Sequence, residues 1–134
     1  LKQLYTVPGI GKKSAPHLLA LFHRFKAKTN GSGTAKQIVA FVGLDPQPYQ
    51  SGSSVHRRPT ISKQGDAPMR SRLYFCALGG VRGDNRLHDL YTSLCARGKA
   101  KKLALIACAR KALTWAWIIF TQDTTFDSTY AVKP

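Results

Sequence analysis

Apolar residues along this chain fall at helical spacing in one stretch after another, and no stretch alternates convincingly with period two. Ala15, Leu18, Leu19 and Phe22 predict a helix over about 13–26. Pro16 sets its start near Lys12 or Lys13, because proline is tolerated in the first turn, where backbone amides have no intrahelical partner. Asn30-Gly31-Ser32-Gly33 breaks this helix. Thr34 and Gln37 then form a capping box for a short helix carrying Ile38, Val39, Phe41 and Val42, which Gly43 ends. Asp66 as N-cap and Pro68 in the first turn open a helix reaching about Leu78, with Met69, Leu73, Cys76 and Ala77 on one face and Gly79-Gly80 as its stop. A further helix is predicted over about 84–97, with Leu87, Leu90, Tyr91 and Leu94 as its buried stripe and Gly98 after it. The longest follows over about 99–120, with Leu105, Cys108, Ala112, Trp115 and Ile119 as its core seam. The predicted fold is all-α. With 43% hydrophobic residues, one compact domain spanning 1–134 is expected, comprising a turn-helix element over 1–28, an irregular loop over 45–65 and a helical core over 66–120.

The first helix is entered through Val7-Pro8-Gly9-Ile10-Gly11-Lys12-Lys13-Ser14, a glycine turn feeding a basic segment. Gly9 and Gly11 can both take the positive φ of a tight turn, and without a Cβ they let an anionic oxygen approach the backbone. The amides of the turn then face outward with the positive end of the helix dipole, and Lys12 and Lys13 add charge at the same place. Gly9, Ile10, Gly11, Lys12 and Lys13 are therefore candidate nucleic-acid contacts, and Gly11→Val is expected to damage the phosphate site through backbone geometry. The segment is similar to the helix-hairpin-helix motif of many DNA repair and recombination proteins. The competing reading is a glycine-capped connection between two core helices.

Charge changes the picture. Lys and Arg number 21 against six Asp and no Glu, a formal net charge of +15. Such an excess on a compact domain marks a nucleic-acid binder or, less often, a protein on an anionic membrane surface. The longest apolar stretch, 103–120, contains Arg110 and Lys111 and is not a clean run of about 20 apolar residues, so no membrane span is expected. Cys76, Cys95 and Cys108 show no metal-ligand spacing and read as reduced core residues of a cytosolic protein. His17, His23, His56 and His88 are scattered, and no metal site is expected within the chain. On the last helix Lys99, Lys102 and Arg110 fall within roughly a quarter-turn of one another, either as a solvated face or as a stripe facing DNA or RNA. No signal peptide is expected, and a start at Leu inside a helical pattern leads us to expect part of a longer protein.

Residues 45–65 interrupt the helical pattern with Pro46, Pro48, Gly52 and Pro59, four serines and His56-Arg57-Arg58, and no carboxylate lies between the ends. Connections beyond about 12–15 residues are uncommon in compact domains and are usually functional or disordered. Tyr49 and Ile61 offer apolar anchors near the two ends, and the concentration of hydroxyls and arginines favours a functional loop over a linker.

Taken in order, Pro8-Gly9-Ile10-Gly11, Phe41-Val42-Gly43-Leu44-x-Pro46, Ser51-Gly52, Ile61-Ser62-Lys63-x-Gly65-Asp66, Met69-Arg70-x-x-Leu73-Tyr74, Arg97-Gly98-Lys99-x-x-Lys102 and Arg110-Lys111 resemble the C-terminal transposase domain of the insertion sequence 110 family. Pilin-gene inverting recombinases belong to that family. The closing Thr125-Phe126-Asp127 is similar to the Pro-Phe-Asp that often ends these domains. The resemblance implies a two-part recombinase: an N-terminal RuvC-like domain with a DEDD acidic site binding a divalent metal, Mg by expectation, and a basic C-terminal domain supplying a serine nucleophile. It also implies DNA as substrate, a structured guide RNA, a homo-oligomer and a nucleoid-associated place in a bacterial or archaeal cytoplasm.

Ser51, in the Ser-Gly step after Pro46-x-x-Tyr49, best matches the family's catalytic position, with Ser53, Ser54 and Ser62 as alternatives. A serine hydroxyl needs activation by a base or metal, and the attacked phosphate needs its charge neutralised. Arg57, Arg58, Lys63, Arg70 and Arg72 suit the second task, and Lys99 and Lys102 extend the basic surface. The nearest base is His56, which reads first as a surface loop histidine, so the base or metal is expected from the acidic domain, on the same or another subunit. Two other classes fit part of the pattern. A non-catalytic helix-hairpin-helix module of a DNA repair protein explains the charge and the turn but not the serine loop. A ribosomal-type RNA-binding protein explains the charge but not so large an apolar core.

Overall fold

Every regular element is helical among residues 2–44 and 66–123, which are those that the computed structural model describes. A short 3-10 helix, Lys2–Thr6, precedes five α-helices: α1 (Ala15–Lys28), α2 (Ala35–Val42), α3 (Ala67–Gly80), α4 (Arg86–Ala96) and α5 (Lys101–Gln122). Side-chain caps start three of them where the sequence changes character. Thr34 accepts the Gln37 amide while the Gln37 side chain accepts the Thr34 amide, the predicted capping box. Asp66 accepts from the Met69 amide at 3.0 Å, and Asn85 from the His88 amide at 2.9 Å.

Helix α5 is the centre of the fold, packed by α2, α3, α4 and the 3-10 helix. By length and composition alone it would suit a membrane span, but half of that stretch is buried inside the protein. The predicted seam is buried as expected, and so are Ala109, Leu113, Ala116 and Trp117, because neighbours cover this helix on several sides rather than one. Helix α1 adds an aromatic cluster at its far end. Trp117 meets Phe22 at 5.4 Å and Phe25 at 5.2 Å, both edge-on, and Phe25 reaches Phe41 of α2.

Several predicted boundaries move. Helix α1 begins at Ala15 rather than near Lys12 or Lys13, with Pro16 in its first turn as required. Helix α3 ends at the predicted Gly79-Gly80 stop but takes in both glycines, two residues past Leu78, and Gly80 is packed closely. A Cβ on Gly80 would stand 2.8 Å from Leu87 and 3.2 Å from the Gly9 backbone. Helix α4 starts at Arg86 with Asn85 as its cap, and the Asn85 side-chain amide also donates to the Gly80 carbonyl at 2.9 Å, closing the end of α3. On α4 only Leu87 of the expected stripe is fully buried.

Asp66 does double duty, since its second oxygen meets Arg24 of α1 at 3.3 Å. Asp66→Ala is expected to cost about 1 kcal/mol, mostly from the lost cap, whereas Arg24→Ala removes only a solvent-screened pair and should cost at most about 0.5 kcal/mol. Urea unfolding of the two variants checks this ordering.

Candidate nucleic-acid interface

The glycine turn is held down on α3. Gly9 has φ +91°, and a Cβ there would collide with the Cys76 carbonyl oxygen and stand 3.3 Å from the Gly80 Cα. Only glycine combines that backbone conformation with that approach. The Ile10 amide donates to the Val7 carbonyl at 3.1 Å. Its side chain is buried in the core, so as a nucleic-acid contact Ile10 has neither a side chain nor an amide to offer. Gly11 takes no positive φ, and nothing lies within 4 Å of where its Cβ would be. The expectation that Gly11 is needed for backbone geometry is therefore corrected: the strain is at Gly9. The Gly11 carbonyl accepts from the amides of Ser14 and Ala15 at 3.2 and 3.0 Å. The amides of Lys12 and Lys13 precede that series and have no acceptor among the described residues.

Between this turn and α3 lies an open cleft of about 560 Å³. The turn contributes Gly9, Gly11, Lys12, Lys13 and Ser14. Helix α3 contributes Pro68, Ser71, Arg72, Phe75 and Cys76, which share one face at three- to four-residue spacing. Three cations line the cleft and no carboxylate does. Of its three hydroxyl and thiol groups, on Ser14, Ser71 and Cys76, two are paired with each other, the Cys76 Sγ donating to the Ser14 Oγ at 3.2 Å. Burial raises the Cys76 thiol above its ordinary value, outweighing the Ser14 hydrogen bond and the Arg72 charge that lower it, so the thiol stays protonated at neutral pH. The charge of the cleft suits an anion.

The sequence singles out other basic residues that go elsewhere. Arg70 is half-buried and donates to the Val42 carbonyl at 3.0 Å, and Arg110 donates to the Leu44 carbonyl at 3.3 Å. Both close the C-terminal end of α2, where unpaired carbonyls and the negative end of the helix dipole favour a cation. Lys99 lies before α5, Lys102 in its first turn, and Arg110 is half-buried with a hydrogen bond to Leu44, so Lys99, Lys102 and Arg110 do not make one exposed stripe on the helix. The exposed lysines at the start of α5 are Lys101 and Lys102. Ser51, the alternatives Ser53, Ser54 and Ser62, and His56, Arg57, Arg58 and Lys63 lie outside the described residues. Sequence reasoning missed Ser14, Ser71 and Phe75. The signal for Phe75 was legible, an aromatic placed off the Met69–Leu73–Cys76 stripe.

Among the described residues no three of His, Cys, Asp or Glu come together as metal ligands. Residues 1–92 match the family described as the Transposase IS116/IS110/IS902 family. The chain belongs to that family of transposases. It is 35% identical over 127 residues to the pilin gene-inverting proteins of Moraxella lacunata and Moraxella bovis, covering 92% of this chain and 38% of each relative. It is 26% identical over 129 residues to an uncharacterised 43.6 kDa protein of insertion element IS110 from Streptomyces coelicolor, covering 93% of this chain and 30% of that relative. The chain thus spans little more than a third of the length of the pilin gene-inverting relatives.

Proposed function

We propose that this chain is the DNA-binding, serine-nucleophile domain of an insertion-sequence transposase or site-specific recombinase, acting in strand cleavage and rejoining. The observation that carries this reading is the match of residues 1–92 to the transposase family. The cation-lined, carboxylate-free cleft supports the binding half of it. In this reading the Ser51 Oγ attacks a backbone phosphorus, a Ser–O–P bond forms and the P–O3′ bond breaks. The departing 3′ oxygen takes the proton. The 5′-phosphoserine link conserves the phosphodiester for rejoining when a new 3′ hydroxyl attacks it. Arg57, Arg58 and Lys63, close to Ser51 in sequence, neutralise the charge that builds on the phosphate. Lys12, Lys13 and Arg72 hold the backbone nearby, with Lys99 and Lys102 as further contacts.

The described residues offer no ligand set for a divalent metal. In this reading it belongs to the RuvC-like part of the longer protein, together with the base that activates the serine. A guide RNA, assembly as a homo-oligomer and a place on the nucleoid complete the proposal.

The 134-residue chain alone is expected to bind DNA with little sequence preference and to cleave nothing. Binding should weaken steeply with salt, the logarithmic slope on duplex being about −0.9 per phosphate neutralised. Lys12→Ala should reduce that slope by about one phosphate's worth. Titrations across a salt series test this, and a flat response or metal-dependent nicking by the isolated chain would overturn it.

A further inference from the structure

The cleft has a wall that phosphate binding leaves unused. Phe75 is 63% exposed, although α3 buries Met69, Leu73, Cys76 and Ala77 around it. The Tyr74 ring meets Phe75 nearly at right angles, with centroids 5.8 Å apart, which steadies the ring and leaves most of it open. Arg72 stands three residues earlier on the same face of α3, and Lys12 and Lys13 face it from the turn. An exposed aromatic is therefore set among three cations in a cleft with no carboxylate, whose volume of about 560 Å³ lies within the range of pockets that take a small-molecule-sized group.

From this juxtaposition we infer that Phe75 is a stacking platform for an unpaired base, whose flanking phosphates are held by Lys12, Lys13 and Arg72. The inference rests on the nucleic-acid reading above and narrows its substrate to single-stranded or locally unpaired nucleic acid. Inside a duplex each base is covered on both faces by its neighbours, and a phenyl ring reaches a face only where stacking is broken. In a single strand every base offers a π-face regardless of sequence. A protein segment is a poorer occupant. Covering Phe75 with apolar side chains would desolvate the adjacent cations without supplying counter-charge, whereas a nucleotide brings an aromatic face and phosphates together. Strand exchange passes through unpaired strands, so such a site would hold them apart from their former partners.

The test uses fluorescence anisotropy of the 134-residue chain with a mixed-sequence single strand of about 12 nucleotides and with the corresponding duplex at fixed salt. Phe75→Ala and Phe75→Leu are expected to weaken single-strand binding by about five- to 150-fold, the range for losing one base–aromatic stack. Duplex binding should change less than about twofold, and Phe75→Tyr should bind like the parent. The salt slope should not move, since no charge is removed. In parallel, irradiation of the parent with a 5-iodouracil-substituted strand should place a cross-link on Phe75, a readout that requires no variant to fold. Equal losses on both substrates, full single-strand binding by Phe75→Leu, or a cross-link confined to other residues would overturn the stacking assignment while leaving DNA binding intact. A parent that binds neither substrate overturns the nucleic-acid reading and this inference with it.

Discussion

Ser51→Ala, placed in a full-length recombinase carrying this segment, is expected to abolish the covalent protein–DNA adduct and all recombinant product while DNA affinity stays within about twofold of the parent. The two effects separate because a nucleophile makes its bond only during reaction, whereas affinity for a polyanion comes from many cations spread over the surface. Ser53→Ala, Ser54→Ala and Ser62→Ala should each retain adduct. The cleft brings two more hydroxyls into contention, Ser14 and Ser71. Ser14 already accepts a hydrogen bond from Cys76 and has no base beside it in the cleft. Peptide mapping of the adduct by mass spectrometry decides between them. A phosphodiester on any serine but Ser51 removes the assignment, and no adduct on any serine removes the mechanism.

Gly9→Ala should be the most damaging single change in the described part of the turn, costing about 2–6 kcal/mol. Two terms add: holding a residue with a Cβ at φ +91° costs about 1–3 kcal/mol, and forcing a methyl group into the α3 backbone costs about as much as overpacking a core. The turn can escape only by lifting away from Cys76 and Gly80, which separates Lys12 and Lys13 from Arg72. Loss of affinity should therefore accompany loss of stability. Gly11→Ala meets nothing within 4 Å and should stay within about 0.5 kcal/mol of the parent. Denaturant unfolding and duplex binding of both variants check the pair. A Gly9→Ala protein as stable as the parent, or a Gly11→Ala protein equally damaged, would show that the turn is not held by this contact.

Much of the fold was legible because it is local. A capping box needs only Thr34 and Gln37 three residues apart, and Pro16 and Pro68 can sit only where a helix begins. The buried seam of α5 follows from the 3.6-residue period, and the excess of lysine and arginine points to a polyanion whatever the fold. The ordered motifs from Pro8-Gly9-Ile10-Gly11 onward carried the family assignment, which the match over residues 1–92 supports independently.

What only the tertiary structure decided concerns contacts between residues distant in sequence. Gly79-Gly80 reads locally as a helix stop, and α3 does end at Gly80, but only the packing shows that Gly80 also supplies the flat spot on which Gly9 rests. Gly9 and Gly11 look alike in the sequence, and a backbone contact on one side alone makes the first indispensable. Arg70 and Arg72 are two residues apart on one helix, and the 100° between successive positions turns the first toward the carbonyl end of α2 and leaves the second in the cleft. Periodicity tells which positions share a face. It does not tell what will be packed against that face, and here that partner separates an arginine that closes α2 from one that lines the cleft and sets Phe75 beside Lys12 and Lys13.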